Sequence, residues 1–290
     1  MNRLKLIEKL RVPMMLFPAI AIIVVLFGGG MLSGIGQSFG YFPIIGQEDL
    51  TLSYYQDILS DDGFLQSLWL TFRIAFLSTL FSSIFAIAFA LVLRHKFRGS
   101  RFLTFMFQVP IPIPHLVVAT GMVLLVSQSG LLSRGSVAAG ITDVPGDFPV
   151  LVFDRSGIAI LLTFLWKEIP FIGIVVLAVL KSVGPQYEEI AQTLGANSWQ
   201  RFRFVLFPLI LPGVLSTSII VFAFVFANYE IPKLLGVRHP STLPVMALRS
   251  YQDVDLAQRP QAMAMSVILA VVAVVLLMLY KYIAKYTVNS

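Results

Sequence analysis

Ser182-Val-Gly-Pro-Gln-Tyr-Glu-Glu-Ile-Ala-Gln-Thr-Leu-Gly195 is a short polar stretch set between two continuous apolar runs. Its own pattern predicts a helix over about 185–195. Pro185 suits a first helical turn, Glu188 and Glu189 complement the positive N-terminal end, and Gly195 can take the left-handed conformation that ends a helix. Tyr187, Ile190, Ala191 and Leu194 recur at i, i+3, i+4 and i+7 and make one apolar stripe. Ser198 is placed to cap a second helix that starts near Trp199 and carries Arg201 and Arg203 toward the apolar run at Phe207. A helix this short is marginal alone. Its stripe therefore needs a partner, either lipid headgroups or a groove on a cytoplasmic protein, and pattern alone leaves both open.

The two flanking runs, Gly157–Leu180 and Phe207–Tyr229, are each long enough to cross a bilayer, which takes about 20 mainly apolar residues. Four more runs qualify: Val12–Ser33, Phe64–Leu93, Phe102–Val126 and Gln261–Ile283. Composition agrees. Of 290 residues, 57% are hydrophobic and only 12% charged, where a soluble chain is about a quarter charged, and the mean hydropathy is +0.85. Two soluble domains would lack the charge to cover their cores, and disorder requires low hydrophobicity. Continuous runs, rather than short alternating ones, exclude a β-barrel. The absence of cysteine excludes disulfides, thiolate metal sites and cysteine nucleophiles. The expected fold is an all-α integral membrane protein with six transmembrane helices, forming a single transmembrane domain over 1–290. The first run is expected to be retained rather than cleaved as a signal peptide.

Loop charge sets the orientation. Arg3, Lys5, Lys9 and Arg11 precede the first span, Arg94, Lys96, Arg98 and Arg101 join the second to the third, Lys181, Arg201 and Arg203 join the fourth to the fifth, and Lys281 and Lys285 close the chain. The opposite loops carry Arg134, Arg155, Lys233, Arg238, Arg249 and Arg259, with none in the first. The positive-inside rule makes both termini cytoplasmic. It also accounts for the formal net charge of +6 without nucleic acid, for which no basic stripe with interleaved aromatics exists outside the spans.

Beside these features, the 182–208 region resembles the signature of permease subunits in binding-protein-dependent ATP-binding-cassette importers of type I. That signature is Glu-Ala-Ala, three residues, Gly, nine residues, then Ile-x-Leu-Pro. Here Glu189-Ile190-Ala191 is followed by three residues, Gly195, nine residues, and Val205-Leu206-Phe207-Pro208. Ile190, Val205 and Phe207 depart from it with apolar residues. Trp166-Lys167-Glu168-Ile169-Pro170-Phe171, and Pro232 with Leu235-Gly236, are also similar to the family. The resemblance implies a coupling helix that docks in a cleft of a cytoplasmic ATPase, with Tyr187, Glu188, Glu189, Ile190, Ala191, Leu194 and Gly195 as coupling residues. It implies further partners: a second permease subunit, identical or paralogous, and an extracytoplasmic substrate-binding protein. It places the chain in a bacterial or archaeal-type plasma (inner) membrane, with ATP and Mg on the ATPase and no cofactor on this chain. Residues around Asn228–Gly236 resemble permeases for polyamines and related small charged solutes, whereas Trp166–Phe171 resembles sugar permeases.

Ionisable groups inside spans cost about 2.5–3.5 kcal/mol each on insertion scales, so Arg73, His115, Lys167 and Glu168 require partners or a function. A structural pair between Arg73 and Glu168 is the expectation, since both lie near mid-depth. Substrate contact or gating is the alternative for His115, Trp166, Lys167 and Glu168, and for Phe224, Asn228, Tyr229 and Glu230 at the end of the fifth span. Pro110, Pro112 and Pro114 beside His115 predict a distorted third span, tolerable where it lines a cavity.

Enzyme chemistry finds no support. There is no Gly-x4-Gly-Lys-Ser/Thr phosphate loop and no His-Glu-x-x-His pair, so no metal site is expected. Gly36-Gln37-Ser38-Phe39-Gly40 matches the nucleophile-elbow pattern but lacks its strand-turn-helix context. The rival readings are a secondary transporter driven by an ion gradient and, in another class, an intramembrane hydrolase.

Overall fold

Long apolar runs separated by short polar ones fold here as helices with brief connections. The computed structural model describes residues 14–95 and 97–289, with side chains as far as Tyr282. The expected charges at Arg3, Lys5, Lys9 and Arg11, the start of the first span at Val12, Lys96 and the Lys285 side chain lie outside the described residues. In order the helices are α1 (Met14–Ser38), α2 (Ser53–Ser60), α3 (Asp62–Leu93), α4 (Ser100–Gln108), α5 (His115–Val126), α6 (Leu131–Ala138), α7 (Ile158–Val183) and α8 (Gln186–Thr193). They continue with α9 (Ser198–Ala227), α10 (Glu230–Leu235), α11 (Leu243–Tyr251) and α12 (Arg259–Asn289). Among the described residues the only strand-like pairing is an isolated bridge between Phe42 and Gln47. Six segments are long and apolar enough to cross a membrane: α1, α3, His115–Ala138, α7, α9 and Leu256–Tyr282.

The third span, expected over Phe102–Val126 with a distortion at its prolines, is interrupted there. It is broken into α4 and α5 by the irregular segment 109–114. Pro110, Pro112 and Pro114 supply no N–H donors, and three so close together disfavour a continued helix. The fifth span starts earlier than expected. Its helix is continuous from Ser198, through a π turn at Phe202–Leu206, into the membrane segment.

The described residues divide into two compact units. The first holds the chain up to Asp61 together with Ala247–Ile268. Here Ser38, at the end of α1, is fully buried. Its hydroxyl donates to the Ile35 carbonyl at 2.6 Å and accepts from Tyr55 at 2.7 Å. Ser38 is therefore a structural tie on a helix end, not an elbow nucleophile. The apolar side chains of α1, such as Met15 and Phe27, face outward, as suits a helix solvated by hydrocarbon.

The second unit spans Asp62–Met246 and Leu269–Ser290. Its core is the mutual packing of α3, α7 and α9, with Ile74, Ala86 and Ala90 meeting Phe164, Ile172, Val176, Ile210 and Phe226. Small residues on α3 let the backbones approach, which is how helices associate where lipid is as apolar as leucine. Gly173 does the same on α7: a Cβ there would lie 2.5 Å from Phe107 Cζ of α4. Polar ties cross the core as well. Ser83 and Ser218 hydroxyls meet at 2.8 Å between α3 and α9, and the Leu243 N–H donates to Thr71 Oγ1 at 2.8 Å.

Candidate functional site: an exposed loop helix and an intramembrane cavity

The Ser182–Gly195 stretch does form a helix, α8, and its end is built from several parts. The Gly195 N–H donates to the Gln192 carbonyl at 2.9 Å, and the Ala196 N–H to the Ala191 carbonyl at 3.0 Å. These two bonds, with Gly195 at φ +84°, make a complete Schellman stop. The cap of the next helix is Asn197 rather than Ser198. Asn197 Oδ1 accepts the Gln200 N–H at 2.9 Å, and Gln200 Oε1 in turn accepts the Asn197 N–H at 2.9 Å, a reciprocal capping box.

The apolar stripe is left uncovered by its own chain. Tyr187, Ile190 and Leu194 are exposed, Leu194 to 82%, and Ala191 is half-buried between them. Glu188 and Glu189, adjacent in sequence, part company. Glu189 is exposed, whereas Glu188 turns inward and receives both Arg94 Nη1 and Nη2, the latter at 3.0 Å on Oε2. Sequence reasoning missed this pair, because no local spacing links residues so far apart.

The second feature is a cavity of about 310 Å³ beside the broken third span. Ile111 and His115 line it from the break and the start of α5, Lys167, Glu168 and Phe171 from α7, and Ile220, Val221 and Phe224 from α9. Of the residues singled out in the sequence, His115, Lys167, Glu168 and Phe224 meet here. Trp166, Asn228, Tyr229 and Glu230 do not line it. Asn228 instead accepts the Ile231 N–H at 3.2 Å from just ahead of α10, with Glu230 in that helix's first turn.

Charge in this region is arranged differently from the expected Arg73–Glu168 pair. Arg73 donates to the Ser156 carbonyl, so its positive charge is spent at the start of α7 rather than beside Glu168. Lys167, only 5% exposed, points its ammonium at the break. It donates to the carbonyls of Pro110 at 2.7 Å, Ile111 at 3.2 Å and Ile113 at 2.6 Å. Its three protons match three acceptors, and those acceptors are ones the broken helix left without N–H partners. Glu168, one residue on and rotated by about 100°, faces His115, with Nε2 3.6 Å from Oε1. The His115 ring also packs on Phe224 at 4.7 Å between centroids. The Pro-x-Pro-x-Pro spacing followed by a buried lysine elsewhere was the sequence signal for this cradle: unpaired carbonyls need donors, and a buried ammonium needs acceptors.

The cavity therefore presents a nearly buried carboxylate, an imidazole and two aromatic rings, while the ammonium is committed to the backbone. Among the described residues no cluster of histidine and carboxylates is placed to hold a metal.

Residues 78–288 match the family described as "Binding-protein-dependent transport system inner membrane component". The chain is 28% identical to the sulfate transport system permease protein CysW of Synechocystis sp. over 233 residues, 79% of this chain and 80% of that one. It is 30% identical to the inner membrane ABC transporter permease protein YcjO of Escherichia coli over 215 residues, 71% of each. In fold it resembles a chain of the bacterial alginate ABC transporter, solved in complex with an alginate pentasaccharide-bound periplasmic protein. The TM-score is 0.83 at 20% identity, covering 100% of this chain and 99% of that one.

Proposed function

This chain belongs to the family of binding-protein-dependent transport system inner membrane components, and from that premise we propose how it works. It is a multi-pass permease subunit of an ABC importer, a transport subunit and not an enzyme. In our reading it forms half of the translocation pathway for a small hydrophilic solute. A second permease subunit forms the other half, an extracytoplasmic binding protein delivers the solute, and cytoplasmic ATPases that bind ATP and Mg drive alternating access.

The observation that carries this reading is the uncovered stripe of Tyr187, Ile190 and Leu194 on α8. Three large apolar groups on one face of a capped, rigid helix fit a groove on another protein. Ala191 allows close approach between them, and exposed Glu189 is free to meet a basic group. ATP can shift the permease only if this helix makes different contacts in the open and closed ATPase states. The Arg94–Glu188 pair supports a common side for the second-to-third and fourth-to-fifth loops, in line with cytoplasmic termini by loop charge.

For the solute, the cavity favours Glu168 over Glu230 as the recognising carboxylate. With Phe171 and Phe224 alongside, it suits a cationic or hydroxyl-rich solute through charge, hydrogen bonding and ring contact.

Double substitution Ile190→Asp with Leu194→Asp tests the docking. The altered permease should reach the membrane in normal amount yet fail to co-purify its ATPase. Normal co-purification would overturn the proposal.

A further inference from the structure

Arg94 directly follows the last residue of α3, and Glu188 sits in the first turn of α8. Their bond is two-pronged, and the side chains are only 17% and 16% exposed. A guanidinium fork on a carboxylate fixes orientation as well as distance. The remaining Arg94 donor, Nε, points to His95 Nε2 at 3.3 Å, so the guanidinium is held from both sides.

The rest of α8 is attached elsewhere. It continues from α7 through Gly184 and Pro185, and Arg201 of α9 donates to Gln192 Oε1 at 3.3 Å. These links reach α7 and α9. Among the described residues, the polar link from the end of α3 to α8 is Arg94–Glu188. Helix α3 is 32 residues long, about 48 Å at 1.5 Å per residue, and it packs along both α7 and α9. A push delivered at its end by a rigid fork is carried along the whole helix.

Resting on the reading of α8 as the docking helix, we propose that Arg94–Glu188 is a strut that makes α8 and α3 move as one body. Arg94 is then a positioning residue for energy coupling: it touches neither solute nor nucleotide. Glu188 belongs to the internal transmission, and Glu189 to the outer face of the docking helix.

The test uses the complete transporter in lipid vesicles with its binding protein supplied, measuring solute uptake and ATP hydrolysis in the same sample. Each chain also carries Thr193→Cys, an exposed position of α8 outside the apolar stripe and the only thiol of this chain because the sequence has no cysteine, to report cross-linking to the ATPase. Arg94→Glu and Glu188→Arg should each lower uptake per ATP hydrolysed by at least about fivefold, the low end of ordinary coupling effects, with cross-linking kept. The double reversal should return it to within about twofold of the starting value. Glu188→Gln, which keeps size but loses charge, should fall between. Unchanged uptake per ATP in Glu188→Gln or in either reversal overturns the strut, as does a double reversal no better than the singles. Absence of the cross-link in the chain with native Arg94 and Glu188 would instead overturn the docking reading on which the strut rests.

Discussion

At Gly195 the backbone takes φ +84° with open space around its missing Cβ, so the objection to a side chain there is conformational. Any other residue loses about 1–2 kcal/mol in that region and tends to unmake the Schellman stop. Gly195→Trp should insert normally and abolish uptake, measured as solute accumulation against membrane abundance; full uptake by an inserted variant would contradict the coupling role. Lys167 is the opposite case, where the side chain is the structure. Lys167→Met leaves the Pro110, Ile111 and Ile113 carbonyls without their donor, and an orphaned buried group such as the Pro110 carbonyl costs about 1–3 kcal/mol. The midpoint of thermal unfolding in detergent should drop, and Lys167→Arg should not fully rescue it, since a planar fork does not fit a three-carbonyl cradle. Glu168→Gln, by contrast, should weaken uptake while leaving ATPase association intact, as read by transport and co-purification side by side. Sequence singled out Gly195 as a helix stop at a motif position, and Lys167 and Glu168 because a charge inside a span is costly. It could not assign their partners. Arg73 went to Ser156 and Lys167 to backbone carbonyls, and neither acceptor is visible as a residue type.

Among the elements, apolar periodicity and length made the six spans legible, because burial in hydrocarbon demands long uninterrupted runs whatever the tertiary arrangement. Three alternating prolines announced the interruption of the third span, which the structure shows as a break between α4 and α5. Closure of that gap by a lysine from α7 is a tertiary event that local pattern does not encode. The contact between Gly173 and Phe107 is of the same kind, since a glycine within a span reads only as a small residue. Gly173→Val would drive a methyl group into the Phe107 ring 2.5 Å from the ideal Cβ. Overpacking of this sort costs about 1–3 kcal/mol. The variant should unfold at lower temperature, and the companion change Phe107→Ala should recover part of the loss.

Across the whole molecule, the proposed function divides the labour of import between two places. One is the cavity bordered by α5, α7 and α9, with the broken span's carbonyls tied off by Lys167. The other is α8, capped at its end, braced by Arg94 and Arg201, and bare along its apolar stripe. Helix α7 belongs to both, since it lines the cavity and continues into α8 through Gly184 and Pro185. In the proposed mechanism, movement of α8 reaches the cavity wall through α7 and, by way of the strut, through α3, which packs along both α7 and α9. The most direct measurement is photochemical or thiol cross-linking from position 190 in the assembled, membrane-embedded transporter. A product joining this chain to the ATPase, whose yield changes when ATP is trapped, is the expected result. A residue 190 that labels only lipid or water-borne reagent, with the ATPase bound elsewhere, would contradict it.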